Sequence, residues 1–252
     1  MEQKFSLQSQ TFILILFIFT GLFLVGQVLV LICIALFMPN FSVDNFDEAS
    51  VSLNLIAVVC SQLGLFIMAY WVYLKVMNQK AKEVLWLDKP KPKWLMLTVV
   101  SIVAIVPIIS VLSWMNVELV KAFPTTGWIE MMELKEETLL KLFNGNPAYF
   151  PIFLICFSFL PAIIEEFIFR GLLFKKLLDV STGNLHFAAW TSALIFGAIH
   201  FQPWALIPMI AMGALFAYLY HRTKSIWYSV VLHAIFNGTT LVVYTYFPEL
   251  NF

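Results

Sequence analysis

The chain has 252 residues, of which 61% are hydrophobic and only 12% are charged. With a mean hydropathy of +0.88, it is far more apolar than a soluble domain, which indicates a protein embedded in a lipid bilayer. The formal net charge is zero, and nucleic acid is excluded as an expected partner because phosphate binding needs clustered Lys and Arg on an accessible face.

Seven apolar stretches reach or approach the roughly 20 residues that an α-helix needs to cross the hydrocarbon core. No repeat, low-complexity tract or Gly/Ser linker divides the chain. The sequence therefore predicts an all-α, polytopic helix bundle of about seven spans, with residues 1–252 in a single transmembrane domain. The predicted spans are residues 11–38, 51–74, 94–115, 148–174, 185–201, 203–220 and 226–247.

The connections between these spans alternate in charge. Acidic residues follow the first span, whereas the connection after the second span carries six lysines between Lys75 and Lys93. By the positive-inside rule, only the second of these connections faces the cytoplasm. The pattern predicts a cytoplasmic N-terminus and an external C-terminus, and the later basic residues that support it are Lys175, Lys176, Arg222 and Lys224.

The first span contains three residues that would suit a close helix contact, Gly21, Gly26 and Gln27. Small residues let membrane helices approach one another. Residues that are merely tolerated in a membrane span would give the same pattern, and the sequence leaves both interpretations open.

The fourth span places two adjacent acids and one base, Glu165, Glu166 and Arg170, inside an apolar helix. Each charge near the middle of a bilayer costs about 2.5–3.5 kcal/mol on insertion scales, so such groups are presumed to be functional. Residues four apart share a helix face, whereas neighbours differ by about 100°. We therefore expect Glu166 to pair with Arg170, and Glu165 to point elsewhere and be available as a general base for a water molecule.

Two later spans add further polar groups. The fifth ends at His200, and the seventh contains His233 and Asn237, which share one face. An imidazole can accept or donate a proton, and an asparagine amide can donate hydrogen bonds to a developing oxyanion. A lone histidine or a lone Glu/Arg pair can be purely structural, but polar groups on three helices of an apolar bundle indicate a common buried site.

Three motifs follow one another on these spans: Glu165-Glu166-Phe-Ile-Phe-Arg170, Phe196-Gly-Ala-Ile-His200 and His233-Ala-Ile-Phe-Asn237. The combination resembles the CAAX protease and bacteriocin-processing family of intramembrane endopeptidases, often described as metalloproteases. The resemblance covers roughly residues 148–240. It implies that this segment is a catalytic core with a conical cavity built from the C-terminal helices, in the inner membrane of a bacterial cell.

The resemblance also implies peptide-bond hydrolysis inside the membrane and a role for each motif residue. Glu165 would activate the water molecule with help from His200. His233 and Asn237 would hold the oxyanion, and Glu166 with Arg170 would support the site.

A metal is a further question for this set of residues. Glu165, His200 and His233 match the His₂Glu set of catalytic zinc sites, in which zinc activates its bound water. The H-E-x-x-H helix of many zinc peptidases is absent, and the resembling family includes members understood as glutamate-dependent without a tightly held metal. We favour a mechanism that requires no cofactor, with a divalent metal such as zinc as the alternative.

The predicted spans give the site an unequal depth. At 1.5 Å per residue, Glu165 lies about 15 Å and His233 about 10 Å from the cytoplasmic end of their spans, whereas His200 lies nearer ~22 Å. We expect the fifth helix to begin later than predicted, with residues 172–188 along the membrane interface. A strongly tilted fifth helix is the alternative.

Two other functions also use buried polar residues. A proton- or ion-coupled transporter needs them for its relay, but inverted repeats with paired broken helices are not visible. A non-catalytic membrane scaffold or immunity protein is the third hypothesis. A peptidase would act on a membrane-associated substrate: a prenylated CAAX-type tail, a leader peptide or a membrane-anchored protein. The sequence does not predict an oligomeric state.

Overall fold

The computed structural model describes residues 5–39, 46–123 and 147–247, together with Gly127, Glu130 and Phe143. Over these residues the chain is built from helices and contains no strand, which confirms the all-α prediction. An isolated bridge between Leu87 and Ser225 links two connecting segments.

Seven main helices correspond to the seven predicted spans. Six of them are long and apolar enough to cross a membrane, which identifies an integral membrane protein. The remaining helix, α5, is apolar but has only 14 residues. The helices are α1 Leu7–Phe37, α2 Val51–Val76, α3 Pro92–Lys121, α4 Pro147–Val180, α5 Leu185–Ala198, α6 Pro203–Thr223 and α7 Ile226–Tyr246.

Helices α1 and α2 touch through their backbones. A Cβ atom added at Gly64 of α2 would lie 2.3 Å from the carbonyl oxygen of Gly21 and 2.5 Å from the nitrogen of Gly26. Only glycine permits so close an approach, so of the two interpretations left open by the sequence the close helix contact holds for Gly21 and Gly26. The side chain of Gln27 is exposed.

Segments that the charge pattern placed on one side of the membrane lie together at one end of the bundle. Near the start of α1, the side-chain oxygen of Gln10 accepts a 2.8 Å hydrogen bond from Lys176, near the end of α4. The backbone nitrogen of Asp88 donates to the carbonyl of Lys224 at 3.1 Å. The relative sidedness of these connections therefore agrees with the prediction, while their orientation toward the cytoplasm stays a prediction.

The boundary between α4 and α5 differs from the one predicted. Helix α4 continues to Val180, six residues past the predicted end, and α5 begins at Leu185. The side chain of Asn184 caps α5 by accepting a hydrogen bond from the backbone of Phe187. The expectation that the fifth helix begins later, with residues 172–188 along the interface, was therefore wrong, because residues 172–180 continue α4.

The longer α4 removes the unequal depth of the site. Fifteen residues separate Glu165 from the end of α4, and fifteen separate the beginning of α5 from His200. In agreement with this equal spacing, Glu165 Oε2 and His200 Nε2 lie 3.8 Å apart. The two side chains therefore lie at the same level in adjacent antiparallel helices.

Helix α4 is also the most enclosed of the long helices. In its most apolar window 56% of the residues are buried, compared with 6% for α3. A polar group on α4 therefore faces other helices, and any site built on it lies in the interior of the bundle.

Candidate active site

Helix α4 changes its winding around the two glutamates. The stretches Leu154–Phe159 and Phe167–Phe174 are π-helical, and the α-helical stretch Leu160–Glu166 lies between them. Pro161 follows the first of these π-helical stretches, and it has no backbone N–H to donate to the preceding turn. π-Helical turns are frequent at functional sites, and here two of them flank the buried Glu165 and Glu166.

Glu165 is the point at which three other helices meet α4. The residue is buried, and its Oε1 accepts a 2.7 Å hydrogen bond from Nε2 of Gln62 on α2. Its Oε2 lies 3.8 Å from Nε2 of His200 and 3.9 Å from Nε2 of His233. One oxygen is thus held by an amide, while the other faces two imidazoles across a gap longer than a hydrogen bond.

Glu166 points away from that gap and forms a fully buried ion pair. Its Oε1 accepts hydrogen bonds from Nη1 of Arg170 and from Nδ1 of His233, both at 2.8 Å. The predicted pairing of Glu166 with Arg170, and the separation of the two glutamates, are confirmed. Both follow from the helical spacing.

Arg170 is enclosed by aromatic rings and by the backbone of α6. Its guanidinium carbon lies 4.6 Å from the ring centroid of Phe196 and 5.1 Å from that of Phe216, distances at which a cation is attracted to a ring face. Its second nitrogen donates to the carbonyl of Gly213 at 3.2 Å. Glycine at this position leaves room for the charged group.

His200 follows the last turn of α5 and is fixed by its own helix. Its Nδ1 lies 2.7 Å from the carbonyl oxygen of Phe196, four residues earlier. Because a carbonyl can only accept, Nδ1 carries the proton and Nε2 is left toward Glu165. The His200 side chain is 25% exposed, compared with 7% for His233, so His200 lies on the more open side of the site.

His233 and Asn237 lie one turn apart on α7. The ring of His233 is buried beside Phe216, with ring centroids 5.4 Å apart. Asn237 is half-buried, and within the described part of the chain its side chain makes no hydrogen bond. The structure thus joins Glu165, Glu166, Arg170, His200 and His233 in one cluster, and leaves the Asn237 amide free to donate.

The buried cluster has an unbalanced charge unless it holds a proton. With both glutamates ionised and Arg170 positive, its formal charge is −1. A net charge in an apolar interior is strongly unfavourable. One proton on Glu165 or on either imidazole makes the cluster neutral, and the 3.8–3.9 Å separations allow these groups to exchange it through a single water molecule.

Gln62 is the residue of this site that the sequence analysis missed. It is buried on α2, outside the three motifs. The only signal for it in the sequence was an amide inside an apolar span, and that span also contains Asn54.

The fit of these residues to a metal was tested on their donor atoms. Each histidine has its Nδ1 occupied by an acceptor, as metal-bound histidines usually do. However, among the described residues no group of three His, Cys, Asp or Glu side chains is arranged to hold a metal ion.

Known proteins resemble the C-terminal part of the chain. Residues 147–239 match the protein-family model described as "Type II CAAX prenyl endopeptidase Rce1-like". Over 102 residues the chain is 37% identical to "Putative membrane peptidase YdiL" of Bacillus subtilis. The aligned segment covers 40% of this chain and 41% of that protein. Over 104 residues it is 30% identical to "Membrane-embedded CAAX protease MroQ" of Staphylococcus aureus, which covers 39% and 42% of the two chains.

The similarity to these two relatives thus extends over about two fifths of their length. No solved structure matches the chain. The segment matched by the family model contains all six residues that the motifs singled out, from Glu165 to Asn237. Residues 147–239 of this chain are therefore similar to the Rce1-like CAAX prenyl endopeptidases.

Proposed function

We propose that this protein is an intramembrane endopeptidase in which Glu165 activates a water molecule to hydrolyse a peptide bond of a membrane-associated substrate. The observation that carries the proposal is the position of Glu165 Oε2, 3.8 Å from His200 Nε2 and 3.9 Å from His233 Nε2. A water molecule bridging these atoms would lie within hydrogen-bond reach of a carboxylate and two imidazoles.

In the first step Glu165 acts as general base. Its Oε2 takes a proton from the water while the water oxygen attacks the carbonyl carbon of the scissile peptide bond. The carbonyl oxygen becomes an oxyanion. In the second step the oxyanion collapses, the C–N bond breaks, and Glu165 returns its proton to the leaving nitrogen. The products are a carboxyl group and an amine, and Glu165 is again ionised.

His200 assists this transfer from the open side of the site. With Nδ1 donating to the carbonyl of Phe196, its Nε2 can accept a hydrogen bond from the attacking water when the ring is neutral. The same atom becomes a donor when the ring is protonated. His200 can therefore orient the water and stabilise the charge that develops near Glu165.

The oxyanion is stabilised from α7. The Asn237 amide makes no hydrogen bond to any described side chain or backbone group, so its NH₂ can donate to the oxyanion. His233 has its Nδ1 proton committed to Glu166, and it donates through Nε2 only in the protonated form. Asn237 is therefore the donor that serves in both states of His233.

Glu166 and Arg170 support the reacting groups without touching the water. Glu166 fixes the orientation of the His233 ring, and Arg170 neutralises Glu166. Breaking this arrangement would turn Nε2 of His233 away from Glu165. The pair accordingly acts through His233.

The mechanism requires no metal. Glu165 can act as the base because it is buried, with Oε1 held by Gln62 and Oε2 directed toward the water molecule. The alternative, a divalent ion such as zinc on Glu165, His200 and His233, is distinguished by chelation, as described in the Discussion.

The substrate is a peptide that the membrane delivers to the site. The glutamates lie in the interior of a bundle whose outer surface is apolar. A prenylated CAAX-type tail is the substrate class that the Rce1-like segment favours; leader peptides and membrane-anchored proteins are tested alongside it. We further propose that the N-terminus is cytoplasmic and that the protein resides in a bacterial inner membrane.

Cleavage by detergent-purified protein tests the proposal. Wild type and Glu165→Gln are compared on farnesylated CAAX-type peptides, leader peptides and a single-span membrane protein. Loss of a general base predicts a decrease in kcat of about 10²- to 10⁴-fold. Glu118→Gln is the matched control, because Glu118 is exposed and pairs only with Lys121 among the described residues.

Full cleavage by Glu165→Gln would contradict the proposed role of this carboxylate. Absence of cleavage by folded wild-type protein on every substrate would favour a transporter or a scaffold instead.

A further inference from the structure

We propose that Gln62 is a positioning residue for Glu165, so that α2, outside the matched segment of residues 147–239, completes the active site. The inference rests on the proposed function, in which Glu165 is the general base. Gln62 does not touch the reacting atoms. It acts through the carboxylate.

The hydrogen bond between the two residues has one sensible direction. An ionised carboxylate only accepts, so the Gln62 amide must present its NH₂ group, and its Nε2 lies 2.7 Å from Glu165 Oε1. This contact occupies Oε1 and leaves Oε2 toward the histidines. The amide therefore selects which of the two oxygens can receive the proton from water.

An uncharged donor suits a carboxylate that must gain and lose a proton. A lysine or arginine at this position would form an ion pair and hold Glu165 in its ionised form. The amide can donate to Oε1 whether or not Oε2 is protonated. Gln62 thus keeps the carboxylate in place through both steps of the reaction without adding a charge to the buried cluster.

The neighbouring residues of α2 fix the height of Gln62 in the bundle. Two residues later, Gly64 makes the backbone contact with Gly21 and Gly26 of α1. Two residues earlier, Cys60 Sγ lies 3.7 Å from Cys33 Sγ of α1. Contacts with α1 thus bracket Gln62, whose side chain instead reaches α4.

A buried amide that only stabilises the helix bundle would give the same hydrogen bond. The two roles differ in what they change. A structural amide affects the free energy of unfolding, whereas a positioning amide also affects kcat and its dependence on pH. The remaining titratable or charged groups near Glu165 are Glu166 and Arg170 on α4, His200 beyond α5 and His233 on α7. All four are retained in the variants below.

The experiment uses the full-length protein with Gln62→Met, which keeps the length of the side chain and removes the donor. On the peptide that wild type cleaves best, we expect kcat to fall about 10- to 100-fold with little change in KM, because the base is misplaced rather than lost. The pH profile of kcat/KM should also change, because the donor to Glu165 Oε1 is gone.

Two further variants make the result specific. In Gln62→Glu the introduced carboxyl group can donate to Glu165 only while it is protonated, so cleavage should be restored toward acid pH. Asn116→Leu is the matched control: Asn116 is also a buried amide, but it bonds Pro203 and Ile207 rather than the site. Its removal should lower the thermal midpoint without moving the pH profile.

A measurement without substrate completes the test. The infrared carbonyl band of protonated Glu165 is recorded at acid pH and identified by its absence in Glu165→Gln. It should shift to higher wavenumber in Gln62→Met or, if that variant does not fold, in Gln62→Asn, whose amide is one methylene group shorter. The role of Gln62 would be contradicted by an unchanged band. It would also be contradicted by a wild-type kcat and pH profile in Gln62→Met, provided that Glu165→Gln is inactive; in both cases the proposed function would stand. Normal cleavage by Glu165→Gln would instead overturn the proposed function.

Discussion

Glu166 on α4 and His233 on α7 are joined by a 2.8 Å hydrogen bond between Oε1 and Nδ1. Because the carboxylate accepts, the imidazole carries its proton on Nδ1, and its Nε2 is turned toward Glu165. The same Glu166 oxygen accepts from Arg170. The orientation of one histidine therefore depends on a buried ion pair.

Substitution of Arg170 should destabilise the protein strongly. Arg170→Met leaves the fully buried Glu166 carboxylate without its cation, and removing one partner of a buried pair typically costs about 3–5 kcal/mol. The thermal midpoint in detergent should fall accordingly. In the double variant Glu166→Gln/Arg170→Met part of the stability should return. Arg222→Met, at an exposed position of α6, is the control, and an equal midpoint for both single variants would contradict the prediction.

Substitution of Asn237 should affect the reaction but not the fold. Asn237 is half-buried, and its side chain has no hydrogen bond to lose within the described part of the chain. If its amide holds the oxyanion, Asn237→Ala should lower kcat about 10²- to 10³-fold with an unchanged thermal midpoint. Thr239→Ala is the control, because Thr239 is exposed and bonds only the carbonyl of Ile235. Equal kcat values for the two variants would argue against the role of Asn237.

The contact between α1 and α2 predicts a sharp response to a single methyl group. In Gly64→Ala the new Cβ would lie 2.3 Å from the carbonyl oxygen of Gly21, so the helices must separate. We expect a lower thermal midpoint, slower cleavage, and slower diamide-induced cross-linking of Cys33 with Cys60. Gly127→Ala is the control, since no atom of a described residue lies within 4 Å of its added Cβ. Wild-type cross-linking in Gly64→Ala would show that the contact does not hold the two helices.

Chelation should leave the activity unchanged. The proposed reaction uses Glu165 as the base and His200 and Asn237 as its partners, with no ion on the water molecule. Dialysis against EDTA or 1,10-phenanthroline should therefore preserve cleavage. Loss of cleavage that added zinc restores would instead favour the His₂Glu alternative at Glu165, His200 and His233.

The parts of the site that depend on helical spacing were predictable from the sequence. The pairing of Glu166 with Arg170 and the opposite direction of Glu165 follow from residues one and four apart on one helix. The meeting of α4 with His200 and His233 was inferred because isolated polar groups in an apolar bundle are unfavourable unless they share a site. The catalytic roles of these residues stay predictions.

The contacts that depend on distant parts of the chain were not predictable. Gln62 and Glu165 are 103 residues apart, and one amide in an apolar span has an ordinary structural explanation. The end of α4 was misplaced because Lys175 and Lys176 looked like an interfacial segment. In the structure Lys176 bonds the Gln10 side chain and Lys175 bonds the Val84 carbonyl, so the helix continues past both.

Glu165 and His200 are equally far from the turn between α4 and α5. The lengths of the two helical segments on either side of this turn therefore determine whether the two side chains meet. The turn itself, where Thr182 and Gly183 have φ values of 53° and 90°, reverses the chain without contributing to the site. Adding or deleting one residue between Glu165 and Val180 would shift the carboxylate along the helix axis and rotate it around that axis relative to His200. Substitutions on the outer faces of α4 and α5 should therefore be accepted during evolution far more readily than an insertion or deletion between Glu165 and His200.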